Sequence, residues 1–273
     1  MPKWITGVCD TGSAEIHYLR TGGTGRTVVL LHGLTGNGAC WSPVARGLEM
    51  DFDVIMPDAR GHGRSSTPLH GYRYHDHASD VAGLIRGLDL VAPILVGHSM
   101  GGMTAALVAS QMVASQMSEL SSGLILVDPT FLSPQRQREV CDSDVAEQHR
   151  RLLSRNRDEV LVELRTRHTR RSAEMVELLV DARLQTRMNT FDVLTPPNPD
   201  YRSLMSNIRV PVLIVLGDTP VVSIETAREL QSLNPRVRIE QIEDAGHGLP
   251  YDQPERLAAA IRAFLTTVAA ADQ

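Results

Sequence analysis

The run Pro93-Ile94-Leu95-Val96-Gly97-His98-Ser99-Met100-Gly101-Gly102 constrains this chain more than any other. An apolar stretch of the kind that forms a buried strand passes directly into Gly-X-Ser-X-Gly. Met100 to Gln111 then read as a helix. A strand that turns straight into a helix leaves no room for side chains on the inside of the bend. Gly97 and Gly101 stand two positions either side of Ser99, where a Cβ would press on that bend. Such a turn lifts one serine hydroxyl above the end of a sheet, with a helix beginning beneath it. An isolated match to this pattern carries little weight, because an ordinary strand–helix connection produces it by chance. The flanking strand and helix give it the context it needs.

The rest of the chain supplies a sheet for that turn to stand on. Ile16 to Leu19 and Thr27 to Leu31 read as strands, followed by a glycine-rich loop from His32 to Gly38. Val54 to Met56 gives a short strand ending at Pro57-Asp58. Ile94 to Val96, Leu124 to Val127 and Val210 to Leu216 are near-continuous apolar runs, as parallel strands covered on both faces require. Ala78, Val81, Ala82, Ile85 and Leu88 recur at helical spacing within His75 to Leu90. Val237 to Ile242 reads as a last strand and Glu255 to Val268 as a closing amphipathic helix. This alternation predicts an α/β fold with a doubly wound, mostly parallel sheet.

The rhythm breaks between Leu132 and Met205, where the chain is helix-rich. Glu159, Glu163, Arg167 and Arg171 fall at four-residue steps, as on one solvated helix face. The expected organisation is a core from residues 1–131 and 206–273, with 132–205 inserted as a helical cap over the carboxyl edge of the sheet.

A chain of 273 residues is long enough for one large domain with such an insertion. No stretch approaches the roughly 20 apolar residues of a membrane span, so no membrane partner is expected. The opening Met-Pro-Lys-Trp-Ile has no apolar signal segment, which makes the cytoplasm the default location. Cys9, Cys40 and Cys141 are odd in number and far apart, suggesting neither a disulfide framework nor a metal knuckle. A net charge of −5 without a basic patch argues against nucleic acid. It leaves a small anionic substrate open, because local charge in a pocket can oppose the global balance. The oligomeric state stays open, a homodimer included.

A nucleophilic serine needs three companions. The first is a general base, and His247 in Glu243-Asp244-Ala245-Gly246-His247-Gly248 follows the last strand, on the same sheet edge as Ser99. His32, His62, His75, His77 and His98 read instead as structural or lining residues. The second is a carboxylate to hold the imidazole tautomer. Asp128 follows the Gly123 to Val127 strand, and Asp218 follows the Pro211 to Leu216 strand. Both reach the correct edge, so topology does not choose between them. The third is a pair of N–H groups for a developing oxyanion: Met100, directly after the serine, and Leu34 in His32-Gly33-Leu34-Thr35-Gly36.

No cofactor is expected. There is no phosphate loop with its lysine and no His-Glu-X-X-His pair, and neighbours in Tyr74-His75-Asp76-His77 diverge on a helix rather than converge on a metal. Arg60, Arg136, Arg138, Arg165 and Arg187 are candidate partners for a substrate carboxylate.

Leu30-Leu31-His32-Gly33, Pro57-Asp58-Ala59-Arg60-Gly61-His62-Gly63-Arg64-Ser65, Gly97-His98-Ser99-Met100-Gly101-Gly102 and Ala245-Gly246-His247 together resemble the α/β-hydrolase superfamily along nearly the whole chain. The resemblance implies a cap-bearing hydrolase core with Ser99 and His247 in the catalytic roles. The usual pattern places the acid last in Gly-X-X-Asp after the penultimate strand. Gly217-Asp218-Thr219-Pro220 is one residue short, and puts Thr219 at that place. One branch looks to take its acid from the strand before the cap, and Leu126-Val127-Asp128-Pro129 is similar to it, which favours Asp128. That branch includes N-formylmaleamate deformylase and (acetamidomethylene)succinate hydrolase. The resemblance therefore implies a small ester or amide, with a carboxylate on the substrate. Lactone and carbon–carbon hydrolysis remain alternatives, as does a non-catalytic ligand receptor using the same pocket.

Overall fold

The computed structural model describes residues 4–115 and 120–271. A hairpin of β1 (Ile5–Asp10) and β2 (Glu15–Arg20) leads into β3 (Thr27–Leu31), a 3-10 turn at Gly38–Trp41 and α1 (Ser42–Arg46). Then come β4 (Asp53–Pro57), α2 (Tyr74–Gly87), β5 (Ile94–His98), α3 (Met100–Ser115) and β6 (Gly123–Val127). Four helices follow: α4 (Pro134–Cys141), α5 (Val145–Leu153), α6 (Arg157–Arg167) and α7 (Ala173–Leu184). A second 3-10 turn at Met188–Leu194 precedes α8 (Tyr201–Asn207), and the sheet resumes with β7 (Val212–Leu216), α9 (Ile224–Leu233) and β8 (Val237–Gln241). The short α10 (Leu249–Asp252) and the long α11 (Pro254–Ala271) end the described chain.

The eight strands form one sheet in the order β1-β2-β4-β3-β5-β6-β7-β8. β2 is antiparallel to both β1 and β4; every later pairing is parallel. Successive side chains of a strand point to opposite faces, and the central strands are apolar on both. Val29, Leu31, Leu95, Leu124 and Leu126 pack under α2, α3, α8 and α9. Val28, Leu30, Val96, Ile125 and Val127 pack against α1 and α11. Each such side chain contributes about 1.5–3 kcal/mol when fully buried, which is why these strands read as unbroken apolar runs.

The helices between β6 and β7 form satellite cores of their own. Val160 and Leu164 of α6 meet Val176 and Val180 of α7. On its other side α7 sets Met175, Leu179 and Ala182 against Cys40, in the 3-10 turn after β3. Thus α7 bridges the inserted helices and the segment that carries Leu34. α8 instead adds Tyr201 and Met205 to the main core. Two expectations change. The four-residue series beginning at Glu159 does not continue along one helix, because α6 ends at Arg167 and His168 departs to φ −120°. Arg171 lies beyond that break and pairs with Asp252 at 2.7 Å. An additional strand, β1, carries no apolar run because Cys9 is its single buried residue.

No helix among the described residues is long and apolar enough to cross a membrane. Within Tyr74–His77, Asp76 accepts the Arg73 N–H at 2.9 Å and starts α2. No cluster of three His, Cys, Asp or Glu among the described residues is arranged to hold a metal.

Candidate active site

Ser99 stands one residue past β5 at φ +54°, in the left-handed region where a non-glycine residue carries strain. Both flanking glycines are sterically required. A Cβ on Gly97 would lie 2.2 Å from the Gly101 carbonyl oxygen, and one on Gly101 would lie 2.3 Å from that of Leu31. These are backbone atoms, so neither clash is relieved by a rotamer change. The Ser99 N–H donates to the Val127 carbonyl at 3.1 Å, which ties the turn to the end of β6.

Asp128 occupies the equivalent place on the adjacent strand. His98 pairs in register with Val127, so the next residue of each strand, Ser99 and Asp128, emerges at the same edge. Neighbouring strands lie about 4.8 Å apart. His247 arrives from the loop after β8, which is pinned to the loop after β7 by a bridge between Thr219 and Gly246. Its Nδ1 lies 2.6 Å from Asp128 Oδ2 and its Nε2 3.0 Å from Ser99 Oγ. Since a carboxylate only accepts, Nδ1 carries the proton and Nε2 offers its lone pair to the serine.

Asp128 has no solvent exposure, so its other lone pairs need protein donors. The N–H of Val221 lies 2.9 Å from both oxygens and that of Val222 lies 3.0 Å from Oδ1. Asp218 does not reach the imidazole. It is exposed and accepts the Asp244 N–H at 2.7 Å.

The loop after β3 lies against the serine, where a Cβ on Gly33 would sit 3.2 Å from Ser99 Cβ. The Gly36 N–H donates to the Gly33 carbonyl at 2.9 Å. Thr35 adopts φ +93°, as the third residue of a type II turn must. Leu34 is the second residue of that turn, and Met100 is the first of α3. Their N–H groups donate to no protein acceptor among the described residues, as first-turn N–H groups characteristically do not.

Two histidines assigned to lining roles hold these loops. His98 donates from Nε2 to the His247 carbonyl at 2.7 Å, and its Nδ1 has no partner. Burial, reinforced by the nearby His247, drives the His98 imidazole down to about 3, so it stays neutral while fixing the loop that carries His247. His32 donates from Nδ1 to the Gly33 carbonyl at 2.8 Å and accepts the Ala59 N–H at 2.9 Å. It thereby orients the peptide just before Leu34. Sequence gives no sign of either role beyond proximity to Ser99 and Gly33.

The candidate carboxylate partners are not brought to the site. Arg60 is buried and bound to Asp80 at 2.6 Å and to the Gly71 carbonyl at 2.6 Å. Arg136 and Arg165 pair on the surface with Glu139 and Glu177, and Arg138 and Arg187 are exposed. Arg183, on α7, was not among the candidates. It is partly buried, and that burial lowers its affinity for its proton.

A mostly parallel α/β sheet with a strained serine elbow, and a histidine returning to it from the last strand's loop, defines the α/β-hydrolase class of enzyme. The chain belongs to the alpha/beta hydrolase fold family, whose model matches residues 26–254. It is 28% identical to N-formylmaleamate deformylase of Pseudomonas putida, over 91% of this chain and 92% of that protein. It is 36% identical to 2-(acetamidomethylene)succinate hydrolase of Mesorhizobium japonicum, over 44% of this chain and 41% of that protein. A crystal structure of E-2-(acetamidomethylene)succinate hydrolase matches the fold with a TM-score of 0.81 at 24% identity, covering 97% of this chain and 100% of that one.

Proposed function

We propose that this chain is a serine hydrolase that cleaves an ester or amide bond of a small carboxylate-bearing substrate through an acyl-enzyme. One observation carries the reading: an unbroken path from buried Asp128 through His247 to Ser99, with 2.6 and 3.0 Å contacts. In this reading Ser99 Oγ attacks the substrate carbonyl carbon and its proton passes to His247 Nε2. Asp128 holds the imidazole tautomer and stabilises the imidazolium that forms. The N–H groups of Leu34 and Met100 receive the oxyanion, each worth about 3 kcal/mol of barrier. Collapse expels the alcohol or amine, which leaves with the proton from Nε2. A water then attacks the acyl ester, giving its proton to Nε2, and Ser99 regains its hydroxyl as the acid departs. No metal or organic cofactor enters any of these steps. The helices of residues 132–205 serve as the cap over this edge.

The carboxylate in the proposed substrate rests on the relatives, whose names specify N-formylmaleamate and 2-(acetamidomethylene)succinate. The test is a panel of matched small esters, N-acyl amides and lactones, run beside organophosphate labelling of Ser99. Turnover of esters or amides, lost in Ser99→Ala, is the expected result. Exclusive lactone turnover would move the substrate class and keep the site. No turnover and no labelling of the folded protein would sink the hydrolase reading and leave a ligand receptor.

A further inference from the structure

Arg183 stands in the last turn of α7 with no hydrogen bond and no ion pair among the described residues, although burial is the largest influence on its proton affinity. Its surroundings do not compensate. Arg171 and Arg167 act on it with the same sign of charge, against weaker support from Tyr251 and Glu163. Glu163, the acid that faces it, is already held by Arg155 and by Arg167, the latter at 3.2 Å. The carbonyl end of α7 favours a cation nearby, but it supplies no acceptor to the guanidinium fork. A charge partly withdrawn from water without a partner carries a desolvation cost, and a neutral side chain of similar length would avoid it.

Arg183 lines a cavity of about 440 Å³ that also reaches Thr35, the residue after Leu34 in the turn beside Ser99. Phe191 lines it as well. Four arginines and one glutamate face it, an electropositive interior within a chain of net charge −5. Low-dielectric walls lined by one sign of charge concentrate the field inside such a cleft.

We propose that Arg183 is the docking partner of an anionic substrate group, a carboxylate received by the guanidinium fork in bidentate fashion, with Phe191 against the carbon skeleton. This deepens the serine-hydrolase reading, and rests on it for the position of the scissile bond. It also explains why the missing partner is not a residue of the chain: the counter-ion arrives with the ligand.

The experiment uses succinate and its uncharged dimethyl ester as probes, titrated calorimetrically into the full-length Ser99→Ala protein with and without Arg183→Met. Succinate binding to Ser99→Ala, weakened about 30-fold or more by Arg183→Met, is expected. The preference for succinate over the diester should collapse with it, and Arg183→Lys should restore part of it, as a charge without the fork. Thermal unfolding gives a second readout. If Arg183 is kept for ligand binding, Arg183→Met leaves the free protein as stable as its parent or more so. No binding of succinate to Ser99→Ala, a preference unchanged by Arg183→Met, or a clear fall in its unfolding temperature would each overturn the proposal. Ester turnover and Ser99 labelling in the otherwise unaltered chain report on the hydrolase reading separately, so the two can fail independently.

Discussion

Replacing Asp128 by asparagine tests the proposed acid with almost no change of shape. The residue sits at φ +40°, a left-handed conformation that asparagine tolerates far better than most residues. The substitution therefore isolates the chemistry of the carboxylate from the geometry of the turn. As a carboxylate, Asp128 only accepts: Oδ1 from the N–H groups of Val221 and Val222, Oδ2 from Val221 and from His247 Nδ1. Asparagine has one accepting oxygen and one NH2. With its oxygen at the Oδ1 position, the contacts of Val221 and Val222 to that oxygen survive, and the NH2 faces His247 and, at 2.9 Å, the Val221 N–H. The imidazole must then accept at Nδ1 and carry its proton on Nε2, 3.0 Å from Ser99 Oγ. A protonated Nε2 cannot take the serine proton. The reverse orientation points the NH2 at two backbone N–H groups, at 2.9 and 3.0 Å.

The reverse orientation would leave Nδ1 protonated but faces two donors with a donor, so the first is favoured, and it disables the base. The expected loss in kcat is about 10⁴-fold, or roughly 5.5 kcal/mol. The mismatched donors should also cost about 1–3 kcal/mol of stability. Asp218→Asn alters an exposed carboxyl that holds only the Asp244 N–H, and should leave kcat within about 2-fold and stability within about 0.5 kcal/mol. Two assays are needed: kcat on an activated ester, and the second-order rate of Ser99 phosphonylation, which reports nucleophile activation without deacylation. If Asp128→Asn keeps more than about a tenth of wild-type turnover, or if Asp218→Asn falls as far, the acid assignment is wrong.

Three further outcomes follow from the same geometry. Gly101→Ala drives a Cβ to 2.3 Å from the Leu31 oxygen and 2.8 Å from that of His32, so it should cost at least about 1–3 kcal/mol and most Ser99 labelling; an unfolding temperature like that of the parent would contradict the steric account. His77 and His98 are held down to about 3 by burial, while in the unfolded chain each titrates near 6.5, so below that pH the unfolded state binds protons the folded state refuses. Stability is then fully present above about pH 6.5 and falls with acid by at most about 1.4 kcal/mol per pH unit per histidine; denaturant melts at several pH values should show this, with a shallower slope in His98→Gln, and an unchanged slope would exclude His98 as a source. Arg171, about a tenth exposed, joins the α6–α7 connection to Asp252 at 2.7 Å and lies 5.4 Å from the centre of the Tyr251 ring; Arg171→Ala should cost about 1–3 kcal/mol by leaving Asp252 half-buried and unpaired, measurable by denaturant unfolding, and a loss below about 0.5 kcal/mol would mean the contact is no tether.

The parts of this molecule that could be read from sequence are those whose physics is local or repetitive. The elbow announces itself because Gly97 and Gly101 are demanded by backbone atoms a few residues away and by the neighbouring strand end. The parallel strands show because burial on both faces removes every polar residue from Leu124 to Val127 and from Val212 to Leu216. β1 leaves no such trace, since an edge strand with one buried residue is not required to be apolar. The series ending at Arg171 misled for the converse reason: spacing persists in sequence past the point where His168 leaves the helix. Arg183 was invisible because its distinguishing property is the lack of a partner. That depends on Arg155 and Arg167 already holding Glu163, a three-dimensional circumstance that no spacing records.

The choice between Asp128 and Asp218 shows where sequence stopped and why. Both aspartates follow parallel strands to the same edge, so position alone cannot separate them. What separates them is the path of the loop after β7. Held to the last loop by the Thr219–Gly246 bridge, it turns Asp218 outward to Asp244 and aims the N–H groups of Val221 and Val222 at Asp128. A carboxylate with no solvent exposure needs more than one imidazole contact, because its other lone pairs must be filled by protein donors. The shortened turn fills them. Gly217 to Pro220 and Asp128 are therefore two halves of one arrangement: an acid carried by β6 needs the β7 loop as its donor, and a β7 loop with no acid at its tip is free to serve as one. Its sequence reads as a deletion, while its backbone is what makes the buried acid tenable.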